Sequence, residues 1–287
     1  MAVVRPGTAD AFLELAAPLL LRDEARNNLV FGIAATVLAQ PSFHPDVHLW
    51  VGTREGRPCS AALRTPPHNL VLADPAGGDA LQELIDAVAE DDVDAPGIVG
   101  NRPFVDAAAE RWATTRGARA EVAISQVVHS LSALEDVPRS PGAARPASPS
   151  DRPVLLEWFL GFAREALPAR PGNDEQMERS LDARLAGAGS GLWVWEVDGR
   201  LASVAGYLGK TPNGIRVGPV YTPPEVRGRG YATTLVAELS RWLLGRGNRF
   251  CFLYTDLANP TSNAIYARIG YRRVCDALEY RFAAAAP

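Results

Sequence analysis

Lysine is almost absent from this 287-residue sequence, and cysteine is rare. Lys210 is the only lysine among 29 basic residues, a bias that we attribute to a GC-rich genome rather than to anion recognition. The net charge of −4 does not favour a nucleic-acid partner, because such proteins normally carry a basic stripe. The three cysteines, Cys59, Cys251 and Cys275, lack CxxC spacing, so the sequence predicts neither a disulfide framework nor a zinc site.

Long apolar runs, a secretory leader and clustered histidines are missing as well. No run approaches the roughly 18 apolar residues of a membrane helix, and the N-terminal MAVVRPGTAD lacks the apolar stretch of a signal peptide. The four histidines are scattered through the first half, which predicts no metal site. We therefore expect a cytoplasmic protein with no metal, no membrane and no nucleic-acid partner, and we leave a homodimer open.

The length of the chain favours two domains. Residues 135–153, EDVPRSPGAARPASPSDRP, are dense in proline, serine and glycine and lie between two well-patterned regions, which is typical of a linker that leads into a new domain. The sequence therefore predicts an N-terminal domain at 1–134, a linker at 135–142 and a C-terminal domain at 143–287.

The two predicted domains resemble each other. LWVGTREGRPCSAA at 49–62 matches LWVWEVDGRLASVA at 192–205, with a constant offset of 143 positions. Two further pairs occur in the same order, VVRPGTAD with AARPASPSD and RWATTRGARAEV with YARIGYRRVCDA. Three matches in one order predict a tandem duplication.

Both halves show the same order of strand and helix patterns. A short strand precedes two helices, a hairpin that turns at Glu55-Gly56 or Asp198-Gly199, a strand, a helix, and a closing strand, helix and strand. This order predicts an α+β fold in which a central mixed sheet has helices on both faces. The predicted helices are 10–22, 23–40, 78–90, 103–116, 151–167, 173–187, 230–245 and 261–269, and the predicted later strands are 69–73, 97–101, 120–133, 214–222, 249–256 and 272–282.

The stretch EVRGRGYATTL at 225–235 has the clearest chemical pattern. It follows a strand that Pro223 and Pro224 end, and it begins an amphipathic helix. The free amides and positive dipole at a helix start favour an anion, and Gly228 and Gly230 remove side chains that would hold a phosphate away. The stretch lacks both the GxxxxGK[ST] of a P-loop and the GxGxxG of a dinucleotide site.

With Arg227, Gly230 and Ala232, this stretch resembles the GNAT superfamily of acyl-CoA-dependent N-acyltransferases, whose signature is [Q/R]-x-x-G-x-[G/A]. A second family landmark is similar too, because Asn259 and Tyr266 stand seven positions apart ahead of a Gly-Tyr pair.

The resemblance covers residues 143–282 and looks most like a group of poorly characterised bacterial acetyltransferases. One position departs from the family pattern, since Ser262 replaces the more usual alanine. For residues 1–134 the resemblance is indirect, through the repeat. The corresponding loop there has Asp74 and Asp79 where phosphates would need positive charge, and no tyrosine matches Tyr266. We therefore expect the first half to be a degenerate copy.

The resemblance implies acetyl-CoA, or another short acyl-CoA, as cofactor. It implies that the amide of Val220 polarises the thioester carbonyl and that Tyr266 protonates the leaving thiolate, with a neutral amine as the attacking group. The remaining residues implied in cofactor binding are Tyr221, Thr222, Arg227, Gly228, Arg229, Gly230, Tyr231, Ala232, Thr233, Asn259 and Ser262.

Other interpretations stay open at the level of sequence. Tyr266 fits a core position, Asn259 fits a helix N-cap, and Glu225 fits a loop near the helix dipole. No general base stands out: Asp256, Glu165 and Glu196 are candidates, and ordered water is an alternative.

The functions that fit are an N-acetyltransferase acting on a small-molecule amine or amino terminus, a tandem acetyltransferase like that of mycothiol synthesis, and a non-catalytic acyl-CoA sensor or interaction protein. A closed cleft over residues 220–222 would favour the sensor.

Overall fold

A computed structural model describes residues 1–91, 94–166, 174–187 and 189–284. Its strands are β1 (Ala2–Val4), β2 (His48–Arg54), β3 (Arg57–Arg64), β4 (Leu70–Leu72), β5 (Gly97–Asn101), β6 (Ala118–Leu131), β7 (Ala143–Pro146), β8 (Gly191–Val197), β9 (Arg200–Lys210), β10 (Gly214–Tyr221), β11 (Phe250–Asp256) and β12 (Arg272–Ala284). Its α-helices are α1 (Ala9–Leu20), α2 (Asn28–Ala39), α3 (Gly78–Glu90), α4 (Phe104–Arg116), α5 (Arg152–Ala166), α6 (Asp174–Ala186), α7 (Tyr231–Gly245) and α8 (Pro260–Ile269). None of the helices in these ranges is long and apolar enough to cross a membrane.

These bounds agree closely with the predicted elements. The largest difference is at α2, which was predicted from residue 23 and begins at Asn28. Residues 21–23 form a 3₁₀ turn instead, and the side-chain amide of Asn27 donates to the carbonyls of Leu20 and Asp23 at 3.1 Å each, which ends the preceding helix. The predicted helix ends at 167 and 173 lie outside the described residues.

The chain divides into two compact units. Unit 1 comprises Met1–Val128 and Val274–Pro287, and unit 2 comprises His129–Arg273. The units differ from the predicted domains in two places: residues 129–142 belong to unit 2, and the chain after Arg273 belongs to unit 1. Residues Ala277–Arg281 of β12 pair antiparallel with β5, so the last strand belongs to the sheet of unit 1.

Unit 1 is a mixed sheet with helices on both faces. Its strands follow the order β1-β2-β3-β4-β5-β12-β6, in which β4 and β5 are parallel. Alternate residues of a strand point to opposite faces, and two apolar cores result. One core packs α1 and α2 against Leu49, Val51 and Leu63, and the other packs α3 and α4 against Trp50, Leu70 and Leu72.

Unit 2 repeats this plan. Its strands follow the order β11-β10-β9-β8-β7, and β10 and β11 are the parallel pair. The α7/α8 core contains Ile215 and Val217 of β10, whereas the α5/α6 core contains Leu192, Val194 and Val204. Each unit is thus a central mixed sheet flanked by helices, as the sequence predicts.

The hairpins β2–β3 and β8–β9 confirm the internal repeat in detail. Trp50 pairs with Ala62 and Trp193 with Ala205, which keeps the offset of 143. The register shifts once in each hairpin, directly after Gly52 and directly after Trp195, at the same offset. Both turns place their two central residues at positive φ, which is typical of a type I′ turn.

Candidate active site

The parallel strands β10 and β11 of unit 2 separate along their length. They are paired from Gly214 to Arg216 on β10, and beyond that point both strands continue but no longer pair with each other. On its other edge β10 stays paired with β9 as far as Tyr221, with a register shift between Val217 and Val220. The backbone edge from Val217 to Tyr221 is therefore available to an extended ligand that forms strand-like hydrogen bonds.

The corresponding strands of unit 1 do not separate. Ala62 and Ala205 are equivalent in the repeat, and Ala62 pairs with Leu72 whereas Ala205 pairs with Val220. Leu70 and Val71 therefore correspond to the part of β10 that has diverged from β11. In unit 1 that place is paired, because Leu70 and Val71 face β5 in register.

Side chains also close the end of this strand pair in unit 1. The side-chain amide of Asn101 donates to Oδ1 of Asp74 at 2.8 Å, and Arg26 forms an ion pair with the same carboxylate. An extended ligand would have to break these contacts to enter.

The glycine-rich loop of unit 2 leads into α7 with its amides uncapped. Gly228 and Gly230 have φ of 78° and 79°, the left-handed conformation that glycine adopts without a steric cost. No side chain caps the helix, and its first backbone bond runs from the amide of Thr234 to the carbonyl of Gly230 at 3.1 Å. The amides of Tyr231, Ala232 and Thr233 precede that bond and carry the positive end of the helix dipole.

The segment predicted as a linker packs on this loop. The hydroxyl of Ser140 donates to the carbonyl of Arg229 at 2.9 Å, and the amide of Ser140 donates to the hydroxyl of Thr234 at 3.1 Å. A Cβ on Gly230 would lie 2.7 Å from the Ser140 hydroxyl, so only glycine fits there. This role could not be predicted from the sequence, since Ser140 lies in a stretch that has the composition of a linker.

The two arginines of the loop have different surroundings. Nη2 of Arg227 donates to both carboxylate oxygens of Glu165 at 2.9 and 2.8 Å, and Nε of Arg227 donates to the carbonyl of Thr222 at 2.8 Å. Its guanidinium also lies 5.6 Å from the centre of the Tyr221 ring. Arg229 is exposed.

The end of β10 is held by short polar contacts. The buried hydroxyl of Ser203 donates to the carbonyl of Tyr221 at 3.0 Å and shares a 2.8 Å hydrogen bond with the Thr222 hydroxyl. The Tyr221 hydroxyl donates to Glu165 at 3.1 Å. Residues 220–222 are each only partly buried, so the protein does not close over them.

Asn259 and Tyr266 occupy opposite ends of α8. Asn259 caps the helix, because its Oδ1 accepts from the amide of Ser262 at 3.0 Å. Tyr266 lies in the α7/α8 core, with its ring 5.9 Å from that of Tyr271 in a T-shaped arrangement. Its hydroxyl makes no hydrogen bond to any described residue, and burial raises the pKa of Tyr266 above its ordinary value.

The core brings the predicted residues together. Tyr231 and Tyr266 belong to one cluster, and Val220 packs against it. The predicted cofactor loop, the diverging edge of β10 and the predicted acid therefore surround the same part of unit 2.

None of the candidate bases is a free carboxylate near this cluster. Glu165 pairs with Arg227, and Glu196 pairs with Arg145 at 2.8 Å on the edge strand side of the sheet. Asp256 accepts from the amide of Ala258 at 2.8 Å and so shapes its own turn. Glu225 is exposed in a short 3₁₀ turn before the loop.

Comparisons with known proteins agree with this geometry. Residues 154–271 match the model of the acetyltransferase (GNAT) family. A tandem GNAT protein from the clavulanic acid biosynthesis pathway is 13% identical over 100% of this chain and 99% of its own, with a TM-score of 0.57. A GCN5-related N-acetyltransferase from Sphaerobacter thermophilus is 18% identical over 97% and 95% of the two chains, with a TM-score of 0.57.

An acetyltransferase from the GNAT family of Colwellia psychrerythraea is 11% identical over 99% of this chain and 100% of its own, again with a TM-score of 0.57. At such identities the similarity shows the fold alone. A search of curated proteins finds no significant match.

Proposed function

We propose that the protein transfers an acetyl group from acetyl-CoA to a primary amine of a small molecule or an amino terminus, because residues 154–271 match the model of the acetyltransferase (GNAT) family. The observation that carries the proposal is the divergence of β10 from β11 beside the uncapped start of α7. Together they offer an anion site and a free strand edge within one unit.

The residues present fit acetyl-CoA. The amides from about 227 to 232, with Gly228 and Gly230 in left-handed conformation, suit a pyrophosphate. Arg229 adds an exposed positive charge, and the edge from Val217 to Tyr221 suits the amide-bearing pantetheine arm. When bound, acetyl-CoA supplies the thioester whose carbonyl carbon the amine attacks.

In this proposal two groups of the chain act on the reacting atoms. The amide of Val220 donates to the carbonyl oxygen and stabilises the negative charge that develops there. Tyr266 donates its proton to the sulfur as the carbon–sulfur bond breaks and the carbon–nitrogen bond forms. A phenol has a pKa near ~10 and a thiol near ~8.5, and burial raises the pKa of Tyr266 further, so Tyr266 is protonated at neutral pH.

The amine loses its proton to water in this mechanism. The acidic side chains considered as bases are engaged by Arg227, by Arg145 or by their own turn. If water accepts the proton, none of these carboxylates has to leave its hydrogen-bond or ion-pair partner.

A thermal melt with acetyl-CoA tests the cofactor, and a thiol-release assay with a panel of amines tests the reaction. Acetyl-CoA should raise the melting temperature, because it binds the native state, and Gly230→Asp should abolish the increase. An unchanged melting temperature in the wild type would overturn the proposal. Binding without thiol release from any amine would instead favour an acyl-CoA sensor, although the partly exposed residues 220–222 favour the enzyme.

A further inference from the structure

Arg216 of β10 is a half-buried cation whose Nη1 is buried and has no acceptor among the described residues. Its neighbours Ile215 and Val217 point into the α7/α8 core, so Arg216 points to the opposite face, where α5 and α6 lie. Its guanidinium donates no hydrogen bond to any described residue, and Nη1 is sealed from solvent. A buried guanidinium with no acceptor is costly, because it has lost water and gained no partner.

Arg184 of α6 brings a second cation to the same face. It is 8% exposed, and its Nη1 donates to the carbonyls of Gly218 at 3.0 Å and Tyr207 at 3.3 Å. Its Nη2 has no acceptor in the described ranges. Burial, and then the charge of Arg216, lower the pKa of Arg184, and burial lowers the pKa of Arg216 too. Arg184 reaches the carbonyls on either side of the Arg216 segment, and neither arginine has a carboxylate partner in the described ranges.

Other arginines of unit 2 that bridge elements have carboxylate partners. Arg145 pairs with Asp151 and Glu196, and Arg152 pairs with Glu178 and Asp182. Within the described residues no carboxylate lies at ion-pair distance from Arg184 or Arg216. No described residue therefore supplies a counterion for these two arginines.

The two arginines lie beside the segment where the acetyl group is transferred in the proposed reaction. Gly218, whose carbonyl accepts from Arg184, stands two residues before Val220 in the chain. A Cβ on Gly218 would meet no atom within 4 Å, so there is open space at this point of β10. Arg216 as a whole is partly exposed, so a small molecule can approach its guanidinium from this side of β10.

We propose that the acceptor amine carries a carboxylate, which Arg216 and Arg184 bind on the α5/α6 face of β10. The substrate class is a small amino acid, in which one carboxylate supplies the counterion of both guanidinium groups. This inference rests on the proposed N-acetyltransferase function and specifies its acceptor.

Matched amines test the inference in the thiol-release assay with saturating acetyl-CoA. β-Alanine and propylamine differ by a carboxylate in place of a methyl group, and 2-aminoethylphosphonate provides a phosphonate for comparison. We expect kcat/KM for β-alanine to exceed that for propylamine by roughly ten- to hundredfold, as for hydrogen bonds to charged groups. Equal values of kcat/KM for β-alanine and propylamine would overturn the inference. A higher kcat/KM for 2-aminoethylphosphonate than for β-alanine would overturn the assignment of a carboxylate to the substrate.

Arg216→Met tests the site itself. The variant should lose the preference for β-alanine and keep the increase in melting temperature with acetyl-CoA. Its own melting temperature should be equal or higher, because methionine removes an unpaired buried charge. Arg179→Met is the matched control on α6, since Arg179 is 62% exposed and pairs only with Glu175 in the described ranges. A retained preference in Arg216→Met would overturn the inference.

A melt without acetyl-CoA separates the two levels of the proposal. β-Alanine should raise the melting temperature of the wild type and not that of Arg216→Met, whereas propylamine should raise neither. If acetyl-CoA neither binds nor reacts, the proposed function fails whatever the amino acid does. If propylamine and β-alanine react equally and neither stabilises the protein, the function stands and the carboxylate site fails.

Discussion

Tyr266 combines burial with a free hydroxyl, which is what a proton donor to a thiolate requires. We expect Tyr266→Phe to lower turnover by about 10²- to 10⁴-fold, the usual contribution of a general acid. The increase in melting temperature with acetyl-CoA should remain, because the hydroxyl makes no hydrogen bond to the described chain.

Tyr271→Phe is the control for this variant. Its hydroxyl is buried and shares a 2.9 Å hydrogen bond with Ser240, so the substitution should cost about 1 kcal/mol of stability and leave turnover unchanged. Rates measured by thiol release decide between the two tyrosines. Unchanged turnover in Tyr266→Phe would remove its role as the acid.

Gly230 is restricted both by its backbone conformation and by Ser140. Gly230→Ala places a Cβ 2.7 Å from the Ser140 hydroxyl at φ of 79°, so we expect the loop to shift and cofactor binding to be lost. Gly247→Ala is the control, since Gly247 has φ of 92° and open space around its Cβ position. Both variants should lose about 1–2 kcal/mol to the left-handed conformation, but only Gly230→Ala should fail to bind in a titration with acetyl-CoA. Equal acetyl-CoA binding by the two variants would contradict the role of Gly230 in the cofactor loop.

Among single residues, the sequence predicted those that belong to the motifs but not those that hold or neighbour the motifs in the fold. Gly228, Gly230 and Tyr266 could be found because their spacing is a local pattern. Ser140 and Arg216 could not, since their roles depend on contacts across the fold. Arginine also carries nearly all the positive charge of the chain, so nothing in the sequence distinguishes Arg216 from the others.

The start of α5 depends on one buried carboxylate. Asp151 accepts from the amide of Ser148 at 2.8 Å and from Arg145 at 2.8 and 2.9 Å, which joins the helix to β7. The Arg145 guanidinium is the main cause that lowers the pKa of Asp151 from 3.8 to about 2.

Asp151→Asn should therefore destabilise the protein at pH 7 by about 1–2 kcal/mol, a range reduced because Arg145 is 37% exposed. The contribution is complete above the unfolded pKa near 3.8 and disappears as pH falls towards about 2. Melting temperatures of the variant and the wild type should then converge between pH 4 and pH 2. A difference that does not depend on pH in this range would rule out the carboxylate charge as its cause. Asp182→Asn, at a 49% exposed carboxylate, should change the stability by less than about 1 kcal/mol.

Elements that form from local patterns were predicted well. The hairpin turns, the glycine-led start of α7 and the proline-led start of α8 all follow from residues next to one another in the chain. The strand with which β12 pairs could not be predicted in this way, because strand pairing joins residues that are far apart in the chain. The sequence assigned this strand to the second half, and the backbone pairs it with β5 of unit 1.

The two units of the molecule share a plan and differ in one strand pair. In unit 2 the parallel strands diverge after Arg216, and in unit 1 they stay paired at Leu70 and Val71. Asp74 adds a negative charge at the end of the closed pair, bound by Arg26 and Asn101. We therefore expect unit 2 alone to bind acetyl-CoA, and the division into a degenerate and a catalytic copy remains a prediction.

A calorimetric titration of the full chain with acetyl-CoA tests whether the loop at the start of α7 binds the cofactor. We predict saturable binding of one acetyl-CoA per chain, and the loss of that binding in Gly230→Asp. Two sites per chain, no saturable binding, or unchanged binding in Gly230→Asp would contradict the assignment of the cofactor to the loop at the start of α7.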